Sequence, residues 1–335
     1  MRPFEIPSDP LQRFLDIFEA LEAKRTWTMS VFPLRYSALT LATSAAPPEQ
    51  LADELFAMAS QLKDRAGWFG PLNSPIRFTV AAMLLRRGDD PAEFCEFVDT
   101  CSAQMRELKL RAGSIYETIA LLILRDQLED VSFNHLIRFK DLYEEMKKHH
   151  WWLTGPDDYP ACALLTTTEE RVREISRRVE LFYDGLRNLG FSRGEKLQTI
   201  SHILYFCPQQ DVDVLARFEQ THKAFKKVGL WIHQGDWDEI AILCFLDHEI
   251  DQIVSKVLEH RAKIRKAKPA PDADTSFGLA CGTAFLELVR LDQDLKIIQD
   301  AASLAQVQAI IAAQQAAVAA AAASTAAIAA SSASH

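Results

Sequence analysis

One short run gathers most of the chemically capable side chains. His149, His150, Trp151, Trp152, Thr154, Asp157, Asp158 and Tyr159 fall between positions 149 and 159. Imidazoles and carboxylates can ligate metals or carry protons. Yet the spacing matches no helical ligand set such as H-E-x-x-H. A turn is the simpler expectation, with Trp152 packing and Asp157 or Asp158 holding backbone N–H groups at a helix start. Metal use would require His149, His150, Asp157 and Asp158 to converge on one point with His202 or His233.

A second group runs from Gly194 to Leu204. Leu197, Ile200 and Leu204 define a buried helix face, Gln198 and Ser201 share its neighbour, and His202 stands beside Gln198 at i+4. Ser201 and His202 are adjacent in sequence, so on a helix they point about 100° apart and form no nucleophile–base pair. His202 is expected to make a hydrogen bond between helices. Later in the chain, Trp231, His233 and Asp236 echo the first cluster without its double His. The candidate binding residues are therefore His149, His150, Trp151, Trp152, Asp157, Asp158, Gln198, His202 and Trp231. The sequence offers no phosphate loop, zinc framework or nucleophile elbow, so no catalytic residue, metal ligand or cofactor is assigned.

What positions these residues is a repeat. Leu21, Leu62, Met105, Met146, Leu186 and Phe225 each precede a polar turn and then an apolar run, at steps of 41, 43, 41, 40 and 39 residues. About 40 residues suit two helices and two connections. Gly67, Gly113, Gly190 and Gly229 follow the anchors where a left-handed helix end favours Gly. Ser74-Pro75, Asp157-Asp158, Asp236 and Asp238 suit the start of the next helix. Between them Val172, Ile175, Val179, Phe182, Tyr183, Leu186 and Leu189 form one apolar stripe at helical spacing. The expected fold is all-α, an α-solenoid-like array of about six helical hairpins.

Four segments follow from this reading: a helical-repeat domain over 1–260, a basic Pro-broken linker over 261–275, a C-terminal helix over 276–300, and an Ala-rich tail over 301–335. Ile297, Leu304, Ile311 and Val318 recur every seven residues, a seam suited to weak homo-oligomerisation. The tail carries no charge, but its glutamines and alanines suit a membrane span poorly. Lys plus Arg is 37 against 46 for Asp plus Glu, a net charge of −9. Such a surface repels nucleic acid unless a basic patch is segregated. The six cysteines include no C-x-x-C pair and read as reduced thiols of a cytoplasmic protein.

The two clusters also carry a resemblance. Lys147-Lys148-His149, Leu153-Thr154-Gly155-Pro156-Asp157-Asp158-Tyr159 and Leu164-Leu165 resemble the signature of the bacterial domain of unknown function 4003 family. Tyr183, Phe191, Gly194, Leu197-Gln198 and Ser201-His202-Ile203-Leu204 are similar to its second signature. The resemblance extends to about residue 260 and implies neither an activity nor functional residues. By analogy with other helical arrays, the expected function is non-catalytic binding or scaffolding of a protein or peptide partner. The alternatives are a metal-dependent or hydrolytic enzyme centred on His149, Asp157, Asp158 and His202, and a sensor whose pocket is lined by Trp151, Trp152 and Trp231.

Overall fold

The structure, a computed structural model, describes residues 6–66, 70–128 and 130–291. Among these there is no β-strand. Fourteen α-helices follow one another as seven pairs. The first four pairs are α1 (Pro10–Lys24) with α2 (Phe32–Leu41), α3 (Pro48–Arg65) with α4 (Arg77–Arg87), α5 (Pro91–Glu107) with α6 (Ile115–Gln127), and α7 (Phe133–His149) with α8 (Tyr159–Thr166). The last three are α9 (Val172–Asn188) with α10 (Glu195–Leu204), α11 (Asp211–Lys227) with α12 (Trp237–Leu243), and α13 (Ile250–Ile264) with α14 (Ala273–Leu291).

Burial separates two layers. The odd helices bury one stripe; α9 hides Ile175, Val179, Phe182, Tyr183 and Leu186 and turns its charged residues to solvent. The even helices are buried nearly all round, as α4 is from Phe78 to Leu85 and α6 from Glu117 to Leu124. A helix without a polar face belongs inside, so the even helices form the inner layer. Each inner helix packs against the next, from α2 and α4 through to α12 and α14. The odd helices pack in the same serial way from α1 to α13. α14 then packs against α1 and α2, so the inner series returns to its start. Arg35 of α2 fastens this closure by donating from Nη2 to the Pro269 carbonyl at 2.7 Å.

The anchor residues sit two or three positions before the last residue of α1, α3, α5, α7, α9 and α11, and all six are buried. Three of these ends share one motif. The amides of Leu110, Phe191 and Leu230 donate to the carbonyls of Met105, Leu186 and Phe225, through left-handed Lys109, Gly190 and Gly229. Gly113, expected to terminate α5, lies instead just before α6. Its amide donates to Glu117, and Lys109 takes the left-handed position at φ 63°. Gly67 and the seam at Ile297, Leu304, Ile311 and Val318 lie outside the described residues. Residues 261–275 comprise the last turn of α13, the connection, and the first turn of α14.

Closure depends on small residues of α14. A Cβ at Gly282 would stand 2.6 Å from Cδ2 of Leu39 on α2. We therefore expect Gly282→Leu to overpack this joint and lower the unfolding free energy by about 1–3 kcal/mol, read from urea denaturation. A midpoint equal to that of the parent would show that α14 is not tightly held there.

Candidate functional site

A cavity of about 410 Å³ opens at the end of the inner layer where the even helices begin. α2 contributes Phe32 and Tyr36 to its wall, and α6 contributes Tyr116. The turn Pro156–Asp158 supplies Asp157 and Asp158, and α10 supplies Glu195, Lys196, Thr199 and His202. Asp236, Asp238 and Glu239 come from the start of α12, and Asp274 from the first turn of α14. Seven carboxyl side chains thus face one lysine, against aromatic walls.

Helix starts favour acids, because free N–H groups leave them partly positive. That accounts for the exposed Asp157, Glu195 and Asp274. It also accounts for two backbone locks. Asp158 Oδ2 accepts from the Gly155 amide at 2.9 Å, and Asp236 Oδ2 accepts from the His233 amide at 2.7 Å. The expectation that Asp157 or Asp158 holds backbone at a helix start is met by Asp158, which reaches back three residues.

Dipole compensation does not account for Asp238 and Glu239. Asp238 is buried; its Oδ2 lies 3.3 Å from Lys196 Nζ, while Oδ1 has no partner. Glu239 Oε2 is sealed from solvent, also without a partner. Glycine makes room beside it: a Cβ at Gly278 would come within 3.0 Å of Glu239 Oε1 and 3.4 Å of Tyr36 Oη.

Desolvation dominates the titration of these acids. Burial pushes Asp158 up to about 7, the Gly155 amide only partly offsetting it. Burial, then the neighbouring Asp238, pushes Glu239 up to about 8. Asp238 also rises through burial, opposed by Lys196. Attraction to Asp238 raises Lys196 above the ordinary lysine value.

His202 overturns one expectation. Instead of bonding between helices, it is buried with neither ring nitrogen partnered. Burial, then the nearby His150, holds it down at about 3. It therefore faces the cavity as a neutral imidazole able to donate once and accept once. Beside it Gln198 Nε2 donates to Thr154 Oγ1 at 3.2 Å, leaving Oε1 without a partner. Ser201 donates to the Leu197 carbonyl of its own helix.

The other candidates lie elsewhere. His149 is exposed at the end of α7. His150 Nε2 lies 2.9 Å from Glu180 Oε2, an ion-pair distance off the line of a hydrogen bond, and its ring stacks obliquely on Tyr183. Trp152 does not pack in the core as expected: Trp151, Trp152 and Trp231 are all exposed and do not line the cavity. Among the described residues no three His, Cys, Asp or Glu side chains are grouped to hold a metal ion. Tyr36, Tyr116, Lys196, Glu239 and Asp274 are cavity residues that sequence reasoning passes over. The clearest available signal was an acid pair, Asp238-Glu239, opening an otherwise wholly apolar helix.

Fold and site together define an all-helical protein with an acidic, aromatic-walled cavity at the start of its inner helices. The chain belongs to the family described as Protein of unknown function (DUF4003), whose model matches residues 11–316. It is 24% identical over 243 residues to the Uncharacterized protein YeaA of Bacillus subtilis (strain 168), covering 70% of this chain and 72% of that protein. No solved structure matches. The family match corrects the expected extent of the resemblance: it passes residue 260 and includes α14 and part of the Ala-rich tail.

Proposed function

We propose that this chain is a non-catalytic binding protein, built as a closed array of seven helical hairpins, whose cavity receives a cationic group. The group is an ammonium or guanidinium, carried by a free amine or by a Lys or Arg side chain of a peptide partner. The seventh hairpin, α13 with α14, is counted with the other six because α14 packs between α12 and α2. On this reading the array continues past residue 260. Free thiols at all six cysteines accord with a reducing, cytoplasmic setting.

One observation carries the reading. Asp238 and Glu239 each keep a solvent-sealed oxygen without a partner, in a cavity with seven carboxyl side chains and one lysine. Burial penalises the ionised form of both carboxyls, and a cation in the cavity would favour that form, as Lys196 does at Asp238. Tyr36, Tyr116 and Phe206 supply ring faces and edges suited to the methylene stem of an amine.

Calorimetric titration with cadaverine, arginine methyl ester and a lysine-containing tripeptide tests this, with glucose as the neutral comparison. Binding of the cations but not glucose supports the proposal, and Asp238→Asn should weaken it at least about tenfold. Preference for cadaverine or for the tripeptide identifies the source of the group. Heat with glucose alone, or with none of the ligands, overturns it.

A hydrolytic reading draws on a different observation: Asp158 and Glu239 keep protons near neutrality among other carboxyl groups, as a general acid must. In that reading Asp157, Asp158 and His202 act within the cavity, and His149 takes no part. Turnover of a chromogenic glycoside, lost in Glu239→Gln, would favour it over simple binding.

A further inference from the structure

We propose that the end of the molecule bearing the cavity mouth docks on an anionic lipid bilayer. Three connections leave tryptophans in solvent there: Trp27 is 91% exposed, Trp151 73%, Trp152 63% and Trp231 79%. Each connection runs directly into cavity wall, at Phe32, at Asp157 and at Gly235. The four indoles therefore share the cavity end. They belong to the first, fourth and sixth helix pairs, so they are distributed around the closed inner series instead of along one groove.

An exposed indole is apolar over most of its surface yet carries an N–H donor, which suits the bilayer–water boundary. The same end receives the last turns of the outer helices, with exposed Lys147 and Lys148 on α7 and Lys226 and Lys227 on α11. At the opposite end the outer helices begin on acids, among them Asp211 and Asp213 of α11. The net charge of −9 thus hides a polarised molecule, with its basic patch beside its tryptophans. Anionic headgroups complement that patch and would orient the cavity mouth toward the lipid. Docking is peripheral, since no described helix is long and apolar enough to cross a membrane. A single-stranded nucleic acid could also meet tryptophans and lysines. The acidic centre between the indoles opposes a polyanion crossing this face, whereas a planar surface touches only the rim.

The test is sedimentation of the full chain with vesicles of phosphatidylglycerol and phosphatidylcholine in equal parts, against phosphatidylcholine alone. We expect binding to the anionic vesicles only, with a blue shift of tryptophan emission and release by salt. Trp151→Ala with Trp152→Ala and Trp231→Ala, and separately Lys226→Glu with Lys227→Glu, should each weaken binding at least about tenfold while far-ultraviolet circular dichroism stays that of the parent. Failure to bind anionic vesicles overturns the proposal. So does equal binding to both vesicle types, an unaltered affinity in both folded variants, or competition in which an oligonucleotide displaces the vesicles. Cadaverine binding in the cavity is read separately, so either result leaves the other standing.

Discussion

Replacing Glu239 by Gln, or Asp158 by Asn, should stabilise the fold at alkaline pH. In the unfolded chain both carboxyls lose their protons near pH 4, whereas in the fold burial keeps Asp158 protonated to about 7 and Glu239 to about 8. Between those limits the native state binds more protons than the unfolded state, so stability falls as pH rises through this window. The contribution is fully present below about pH 4 and gone above about pH 8. An amide does not titrate and accepts a hydrogen bond much as the acid does, so its stability should not fall with the acid's. The gain should thus be small near pH 4 and reach about 4–5 kcal/mol per site at pH 9, each pKa unit being worth about 1.4 kcal/mol. Urea denaturation across that range would show it. Parallel pH dependence in parent and variants would mean that neither carboxyl is strained by burial. Stabilisation accompanied by loss of amine binding is the pattern expected where acids are kept for function at the expense of stability.

The distribution of these acids explains what could be read from the chain. The outer helices were legible because their order is local. An apolar residue two or three places before the helix end, then a left-handed residue, recurs at Met105, Leu186 and Phe225 with the same carbonyl accepting each time. Asp158 and Asp236 were legible for the same reason, since each bonds to an amide three residues away. The cavity was not. Its wall takes residues from α2, α6, α8, α10, α12 and α14; Tyr116, Asp157, Glu195, Asp236 and Asp274 recur at steps of 41, 38, 41 and 38 residues, but only the closure of the inner helices brings them to one space. Asp238 reads from sequence as a first-turn acid; its pairing with Glu239 ahead of an apolar run is a local signal, but its burial depends on helices distant in the chain.

The tryptophans mislead for a related physical reason. Aromatic residues at corresponding places in several helix pairs suggest packing, yet Trp151, Trp152 and Trp231 stand exposed in connections. Closure was the hardest feature to foresee, because only the contacts of α14 with α1 and α2 distinguish it from an open series of helix pairs. The small residues Gly278 and Gly282, one helical turn apart on α14, were its signal: they let α14 approach Glu239, Tyr36 and Leu39.

Lys196→Met should destabilise the protein, and Asp238→Asn should restore what it loses. Lys196 Nζ lies 3.3 Å from Asp238 Oδ2, and Asp238 has no other partner for its buried carboxyl. Removing one member of a fully buried pair costs about 3–5 kcal/mol. The Lys196 side chain is 43% exposed, which weakens its attraction and brings the expected loss to about 2 kcal/mol at neutral pH. Without the lysine, burial acts on Asp238 unopposed and drives its proton affinity still higher. The variant's carboxyl must then either keep its proton or ionise without a partner, so its deficit should widen from pH 5 to pH 8. In the double variant the neutral amide needs no cation, and its stability should return to within about 0.5 kcal/mol of the parent. Additive losses in this cycle would mean that the pair is not coupled. Coupling would also predict a change in ligand preference, because Lys196→Met leaves the cavity with carboxyl groups and no competing cation. A protein that loses stability alone but recovers it on adding cadaverine would show the amine taking the place of the lysine beside Asp238.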